Sequence, residues 1–272
     1  MGRHRDWLFG AFSSRRRLER KARSVYNYHN LGVGVFPEGE EKTPCGSGER
    51  YNYDRMALMV AAYDFTAKNV VDLGCNSGWF CLQTKLLGSN VTVGIDYSSK
   101  GVMSGAIKYA RAFEKHFRFG MNFVDANIET VDFRKLAARY GLERFDAVLV
   151  LSVLHHISDK QRLFEVLFDA VRDVIFYEDH EFWNDMRDAQ GRPIEVKGEG
   201  HRFGWNEDMS WQRKIHSLES YEGRILEDYR ASWRKDALLL DRFHEVRFLG
   251  FSEKRRPVLA LLKRDLASDA SG

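Results

Sequence analysis

The chain has 272 residues, 44% of them hydrophobic and 30% charged, with a formal net charge of +3. That is long enough to bury one large core, and no apolar run approaches the roughly 18 residues a membrane-spanning helix requires. Three cysteines with no Cys-x-x-Cys pair argue against a disulfide framework and a structural zinc site, so the expected setting is a reducing, cytoplasmic one with no metal.

Residues 1–48 read as a basic N-terminal extension. Residues 1–30 carry eight Lys or Arg against Asp6 and Glu19, a local +6 that leaves −3 for the remainder. Arg15, Arg16 and Arg17 follow the short apolar stretch Trp7 to Phe12, which has no cleavage site of the secretory kind. Such an arm suits the phosphates of RNA or an anionic membrane, with the protein peripheral at its inner surface. A solvated leader explains it equally well, and the acidic balance of the body weighs against a nucleic-acid interface spread over the whole molecule.

The body of the protein is expected to span 49–265, with 266–272 a loose polar tail. Tyr51 to Tyr63 spaces Tyr51, Met56, Met59, Val60 and Tyr63 at helical intervals. This helix either brings Tyr53 and Arg55 to an acceptor pocket or packs with its arginines exposed. Val70 and Val71 open a buried strand leading into Asp72-Leu-Gly-Cys-Asn-Ser-Gly78. Gly74 and Gly78 permit positive φ and a close backbone approach. Their Gly-x-x-x-Gly spacing is not the Gly-x-Gly-x-x-Gly of a pyrophosphate site, which disfavours a dinucleotide.

Trp79 to Leu87 reads as a helix, and Val91 to Ile95 as a second strand tipped by Asp96. A carboxylate at that tip, 22 residues beyond Gly74, accepts hydrogen bonds from the two hydroxyls of a ribose. Gly88, Gly94 and Gly101 read as ordinary loop or strand glycines. Next come a helix from Gly101 to His116, a strand from Met121 to Val124 ending at Asp125, and a short helix from Arg134 to Tyr140 stopped by Gly141. A strand from Asp146 to Leu151 then leads into Ser152-Val-Leu-His-His156. A helix over Asp159 to Val171 and a strand from Asp173 to Tyr177 complete the pattern, so that several strand ends carry polar groups to one edge.

The stretch 178–243 is longer than a crossover helix needs and reads as an inserted helical cap. It holds Trp183, Trp205, Trp211 and Trp233 with His180, His201 and His216, a composition suited to an acceptor wall or to a cap filling its own core. His244 to Gly250 and Pro257 to Lys263 form a closing hairpin.

This order of motifs resembles the class I S-adenosylmethionine-dependent methyltransferases, in register over about residues 66–180 and again at the hairpin. The resemblance implies an α/β fold: a Rossmann-like, doubly wound, seven-stranded and mostly parallel sheet ending in an antiparallel hairpin, with the helical N-terminal extension and inserted cap added. It implies S-adenosylmethionine as cofactor, with Asp72, Gly74, Cys75, Asn76 and Gly78 around its methionine part. Asp96, with Tyr97 beside it, holds the ribose; Asp125 and Ala126 meet the adenine; Leu151 and Ser152 present backbone near the sulfonium. Asn76 stands where the family carries a glycine, and Asn tolerates left-handed backbone better than most residues. Asp72 has the alternative role of capping the turn.

Methyl transfer is an in-line displacement that needs collinear reactants and a dry site. A hydroxyl acceptor also needs a base, and His155 and His156 leave the fourth strand at the right edge, with His180 after the fifth. His156 is preferred as the catalytic base; the alternative is that the imidazoles are structural and proximity alone suffices. Tyr53, Arg55, Glu178 and Trp183 are the expected acceptor contacts. The expected function is methylation of a hydroxyl or other heteroatom on a small-molecule or glycan-type acceptor. Two alternatives stand beside it: a tRNA-modifying methyltransferase, since wobble-uridine enzymes look similar in these motifs, and a non-catalytic relative that only binds.

Overall fold

The computed structural model describes residues 46–97, 105–178, 242–252 and 256–263. The arm with Arg15, Arg16 and Arg17, nearly all of the 178–243 insertion with His180 and Trp183, and the tail lie outside the described residues.

Seven described strands form one sheet: β1 (Val70–Leu73), β2 (Thr92–Asp96), β3 (Met121–Asp125), β4 (Phe145–Leu151), β5 (Val171–Glu178), β6 (Glu245–Phe251) and β7 (Pro257–Leu262). Their order is β3-β2-β1-β4-β5-β7-β6. The first five are parallel, and β7 runs antiparallel between β5 and β6. This is the seven-stranded α/β sheet expected from the sequence. The order reverses between β1 and β4, and in open α/β sheets ligands bind beyond the strand C-termini at such a point.

Helices α1 (Gly46–Ala62), α2 (Trp79–Leu86) and α3 (Ala106–Phe117) cover one face, and α4 (Phe133–Ala138) and α5 (Lys160–Ala170) the other. Side chains alternate along a strand, so each strand feeds both cores. Val71, Leu73, Val148 and Val150 pack with Phe133 and Phe164 on the α4–α5 side. Val70, Ala147, Leu149 and Phe176 pack with Met59, Phe80 and Tyr109 on the other. Strands β1 and β4 are covered on both faces and buried throughout, which is why they read as largely apolar runs.

Two boundaries differ from expectation for local reasons. Helix α1 starts at Gly46, ahead of Tyr51, because its first turn, Gly-Ser-Gly-Glu-Arg, has no apolar residue to mark it. Strand β5 starts at Val171 because the extended C-cap of α5 passes directly into the sheet. At the N-terminal ends of the strands, acidic groups are tied into the framework. Asp146 accepts from Asn69 N and Nδ2 at 2.8 Å, and Asp173 from Tyr63 Oη at 2.9 Å and Lys68 Nζ at 3.1 Å. The carboxylates left for chemistry sit at the opposite edge.

Candidate active site

Strand β1 ends in a turn with three left-handed residues, Gly74 (φ +70°), Asn76 (+51°) and Gly78 (+86°). Asn76 therefore does adopt the glycine-like conformation. The amides of Gly74 and Cys75 both donate to Ile95 O, at 2.9 and 3.0 Å, locking the turn to β2. A Cβ at Gly74 would come within 2.7 Å of Val153 Cγ2, and one at Gly78 within 2.6 Å of the Phe123 ring. The neighbours that require these glycines are thus the protein's own side chains, from the segment after β4 and from β3.

Asp96 faces this turn. Its Oδ2 accepts from Asn76 N at 2.6 Å and its Oδ1 from Tyr97 N at 2.7 Å. A carboxylate oxygen has two acceptor sites, so after these described contacts each can still take a hydroxyl. Burial raises the Asp96 carboxyl above its ordinary value, the two amides oppose that, nearby Asp125 adds to it and His156 opposes it. Ala126 N donates to Asp96 O at 3.0 Å, extending the β2–β3 ladder, so that amide is engaged within the sheet.

Asp72 lies beneath the turn, 2% exposed, and burial pushes its carboxyl up to about 7. Cys81 Sγ donates to Asp72 Oδ2 at 3.6 Å and opposes the rise; Asp96 reinforces it and Arg55 opposes it. Cys75 and Cys81 are fully buried, and burial raises both thiols, keeping them neutral. They meet over Gly94, where a Cβ would lie 2.7 Å from Cys75 Sγ, 2.9 Å from Cys81 Sγ and 2.9 Å from Phe123 Cδ1. Gly94 is therefore not an ordinary strand glycine, and the Cys75 side chain points into the core, leaving only its backbone toward a donor.

The ends of β4, β5 and β7 meet in a second polar group. Ser152, left-handed at φ +55°, donates from Oγ to Glu178 Oε2 and accepts from Arg256 Nη1 at 2.7 Å. Glu178 also takes Arg55 Nη1 at 2.9 Å, and Arg55 Nη2 donates to Asn52 Oδ1. Arg55 stacks over Phe80 at 4.8 Å. Arg55 and Glu178 were expected at the acceptor. They are 1% and 0% exposed and face each other, because a buried charge is tolerated only when paired.

Tyr53 is exposed and meets Trp79, at the start of α2, edge-on at 5.0 Å. His156 is exposed at the end of the 3₁₀ turn Leu154–His156, whereas the side chains of His155, His180 and Trp183 lie outside the described residues. Leu151 is buried, Tyr97 exposed, and Asp125 half-buried beside Asp96. Sequence reasoning missed Val153, Phe123 and Arg256. No spacing ties Arg256 to Ser152, 104 residues away; the placement of β7 beside β5 does so.

The profile of a family described as "Methyltransferase domain" matches residues 64–236, more than half of the chain. The chain belongs to the class I S-adenosylmethionine-dependent methyltransferases. Two solved methyltransferase-fold structures are similar to it. The bifunctional kinase-methyltransferase WbdD is 19% identical with a TM-score of 0.52, over 90% of this chain and 46% of that one. The N-terminal domain of EvdMO1 with SAH bound is 16% identical with a TM-score of 0.52, over 92% of this chain and 95% of that one. Among curated proteins, the tRNA U34 carboxymethyltransferase of Campylobacter hominis is 31% identical over 121 residues, 44% of this chain and 38% of that protein. The match thus spans less than half the length of the carboxymethyltransferase and of WbdD.

The residues present fit the cofactor of this methyltransferase family, S-adenosylmethionine. Asp96 has oxygens to offer a ribose diol, and its carboxylate is bonded to the Gly74–Gly78 turn at Asn76 N.

Proposed function

We propose that the protein transfers a methyl group from S-adenosylmethionine to a hydroxyl or similar heteroatom of a small-molecule or glycan-type acceptor. The observation that carries this reading is the acidic strand-end edge. Asp96 and Asp125 are gathered there, and the arginines beside it, Arg55 and Arg256, are buried in a network with Glu178. Such an edge repels a polyanion and suits a hydroxylated acceptor with a cationic donor. The fold likeness to EvdMO1, solved in the presence of SAH and D-fucose, supports the sugar-type acceptor.

The bound donor supplies an electrophilic methyl group on sulfur. This chain's part is to orient it and to manage the acceptor proton. Asp96 and the turn hold the adenosyl half, and the Leu151–Ser152 backbone borders the reacting end. His156, exposed beside this edge, takes the proton from the acceptor hydroxyl, while Tyr53 and Trp183 contact the acceptor.

A second reading rests on the curated relative: the acceptor is tRNA, reached through Arg15, Arg16 and Arg17, and the transferred group is carboxymethyl. Incubation with S-adenosylmethionine labelled in its methyl group, or with the corresponding sulfonium labelled in a carboxymethyl group in place of the methyl, and either total tRNA or sugar and glycan fractions separates the two. Label in the glycan or small-molecule fraction supports the first reading, and label in tRNA alone overturns it. Lack of any calorimetric heat with S-adenosylhomocysteine, from folded protein, defeats both.

A further inference from the structure

The contacts around Ser152 form one continuous line from the closing hairpin to the first helix. Arg256, just before β7, donates to Ser152; Ser152 donates to Glu178 at the end of β5; Glu178 holds Arg55 of α1. The backbone of Arg256 is itself pinned by Ser252, whose N donates to Arg256 O at 2.8 Å and whose Oγ accepts from Arg256 N at 3.3 Å. The guanidinium reaches Ser152 from a residue only 6% exposed.

Ser152 is a non-glycine residue in left-handed backbone, a conformation opposed by contact between Cβ and the carbonyl and retained only where the surroundings hold it. Its hydroxyl uses both capabilities, giving its proton to Glu178 and accepting from Arg256. The next residue, Val153, is the one packed on Gly74, so near that a single added carbon there would clash at 2.7 Å. The bend at Ser152 therefore fixes where Val153 sits against the donor turn and how the Leu151–Ser152 backbone faces the crevice.

We propose that Arg256 is a positioning residue of the methyl-donor site: acting through Ser152, it holds the bend after β4 that seats Val153 on the Gly74 turn and aims backbone at the sulfonium end of the donor. This rests on the donor reading above. The adenosyl end depends on Asp96 and β2, on the other side of β1, and is independent of Arg256. A residue that merely stabilised the fold would affect both ends alike.

The test uses the whole chain and calorimetric titration with two probes, S-adenosylmethionine and methylthioadenosine, the latter a neutral thioether lacking the aminocarboxypropyl group. Arg256→Met should weaken S-adenosylmethionine by about tenfold or more and methylthioadenosine by less than about twofold, with Arg256→Lys recovering most of the loss. Equal weakening of the two probes, or undiminished affinity for S-adenosylmethionine, overturns the proposal. If Arg256→Met does not fold, as judged by thermal unfolding, Ser152→Ala carries the test, with the same selective loss expected and the same two results against it. Failure of the unaltered protein to bind S-adenosylmethionine refutes the donor reading instead, so the two failures are distinguishable.

Discussion

Asp96 Oδ2 lies 2.6 Å from the backbone nitrogen of Asn76. The acidic tip of β2 is thereby bonded to the left-handed turn after β1, which joins the two halves of the proposed donor site directly. A carboxylate already held by two amides has less to lose in ordering when a ligand binds.

Replacing Asp96 by alanine removes the diol acceptor together with the partner of the Asn76 and Tyr97 amides. Affinity for S-adenosylhomocysteine should fall by about 1 to 3 kcal/mol, the range for charge-assisted bonds and a stranded donor, with the fold retained. Isothermal calorimetry reads this directly, and an unchanged dissociation constant removes Asp96 from the ribose role.

Asp72 predicts a pH dependence. Burial lifts its carboxyl from an ordinary 3.8 to about 7, so between those values the folded protein holds a proton that the unfolded chain has lost. The stabilisation from this group is complete below the lower value and is lost as pH rises through the upper one. Urea midpoints for Asp72→Asn should therefore fall less than those of the parent as pH rises to about 8. A cationic donor beside Asp72 favours the ionised form, so binding near neutrality should release a proton and tighten as pH rises. Calorimetry in buffers of different ionisation enthalpy shows whether that proton appears; its absence separates Asp72 from the donor.

Gly94→Ala tests the packing beneath the turn. The added methyl meets two sulfur atoms and the Phe123 ring at under 3 Å, and overpacking of this sort costs about 1 to 3 kcal/mol. Thermal unfolding should show that loss, with partial recovery in the double variant Gly94→Ala/Cys81→Ala. A fully stable Gly94→Ala contradicts the contact.

Arg55→Met removes the guanidinium that pairs with the fully buried Glu178 carboxylate. The expected destabilisation is about 3 kcal/mol, at the lower end for breaking a buried pair because Ser152 still bonds Glu178. Denaturant unfolding measures it, and a change below about 1 kcal/mol would mean that Arg55 is not needed to neutralise Glu178.

His156→Ala should lower turnover by about 10²-fold while leaving donor affinity nearly intact, once the acceptor is in hand. Equal turnover assigns the proton to another group or to proximity alone.

The sheet was legible because periodicity is a local signal. Val70-Val, Val91 to Ile95 and Ala147 to Leu151 announce strands buried on two faces, and Gly74, Gly78 and Asp96 announce the crevice between two of them by type and spacing. The fate of buried charge was not legible. Arg55 and Glu178 look like surface groups free to meet an acceptor until α1 and the end of β5 bring them to 2.9 Å. Likewise Gly94 looks ordinary until α2 folds back and sets Cys81 beside Cys75.

The amino-acid sequence by itself determined the strand order's ingredients, the glycine turn and the carboxylate at its side, since each depends on residues near one another in the chain. Tertiary structure alone decided that Val153 and Phe123 fill the spaces beside Gly74 and Gly78, that Ala126 serves the sheet, and that Arg256 reaches Ser152. Those partners lie on separate strands, and which side chains share a low-dielectric interior becomes defined only when the sheet has assembled and water has been excluded from between them.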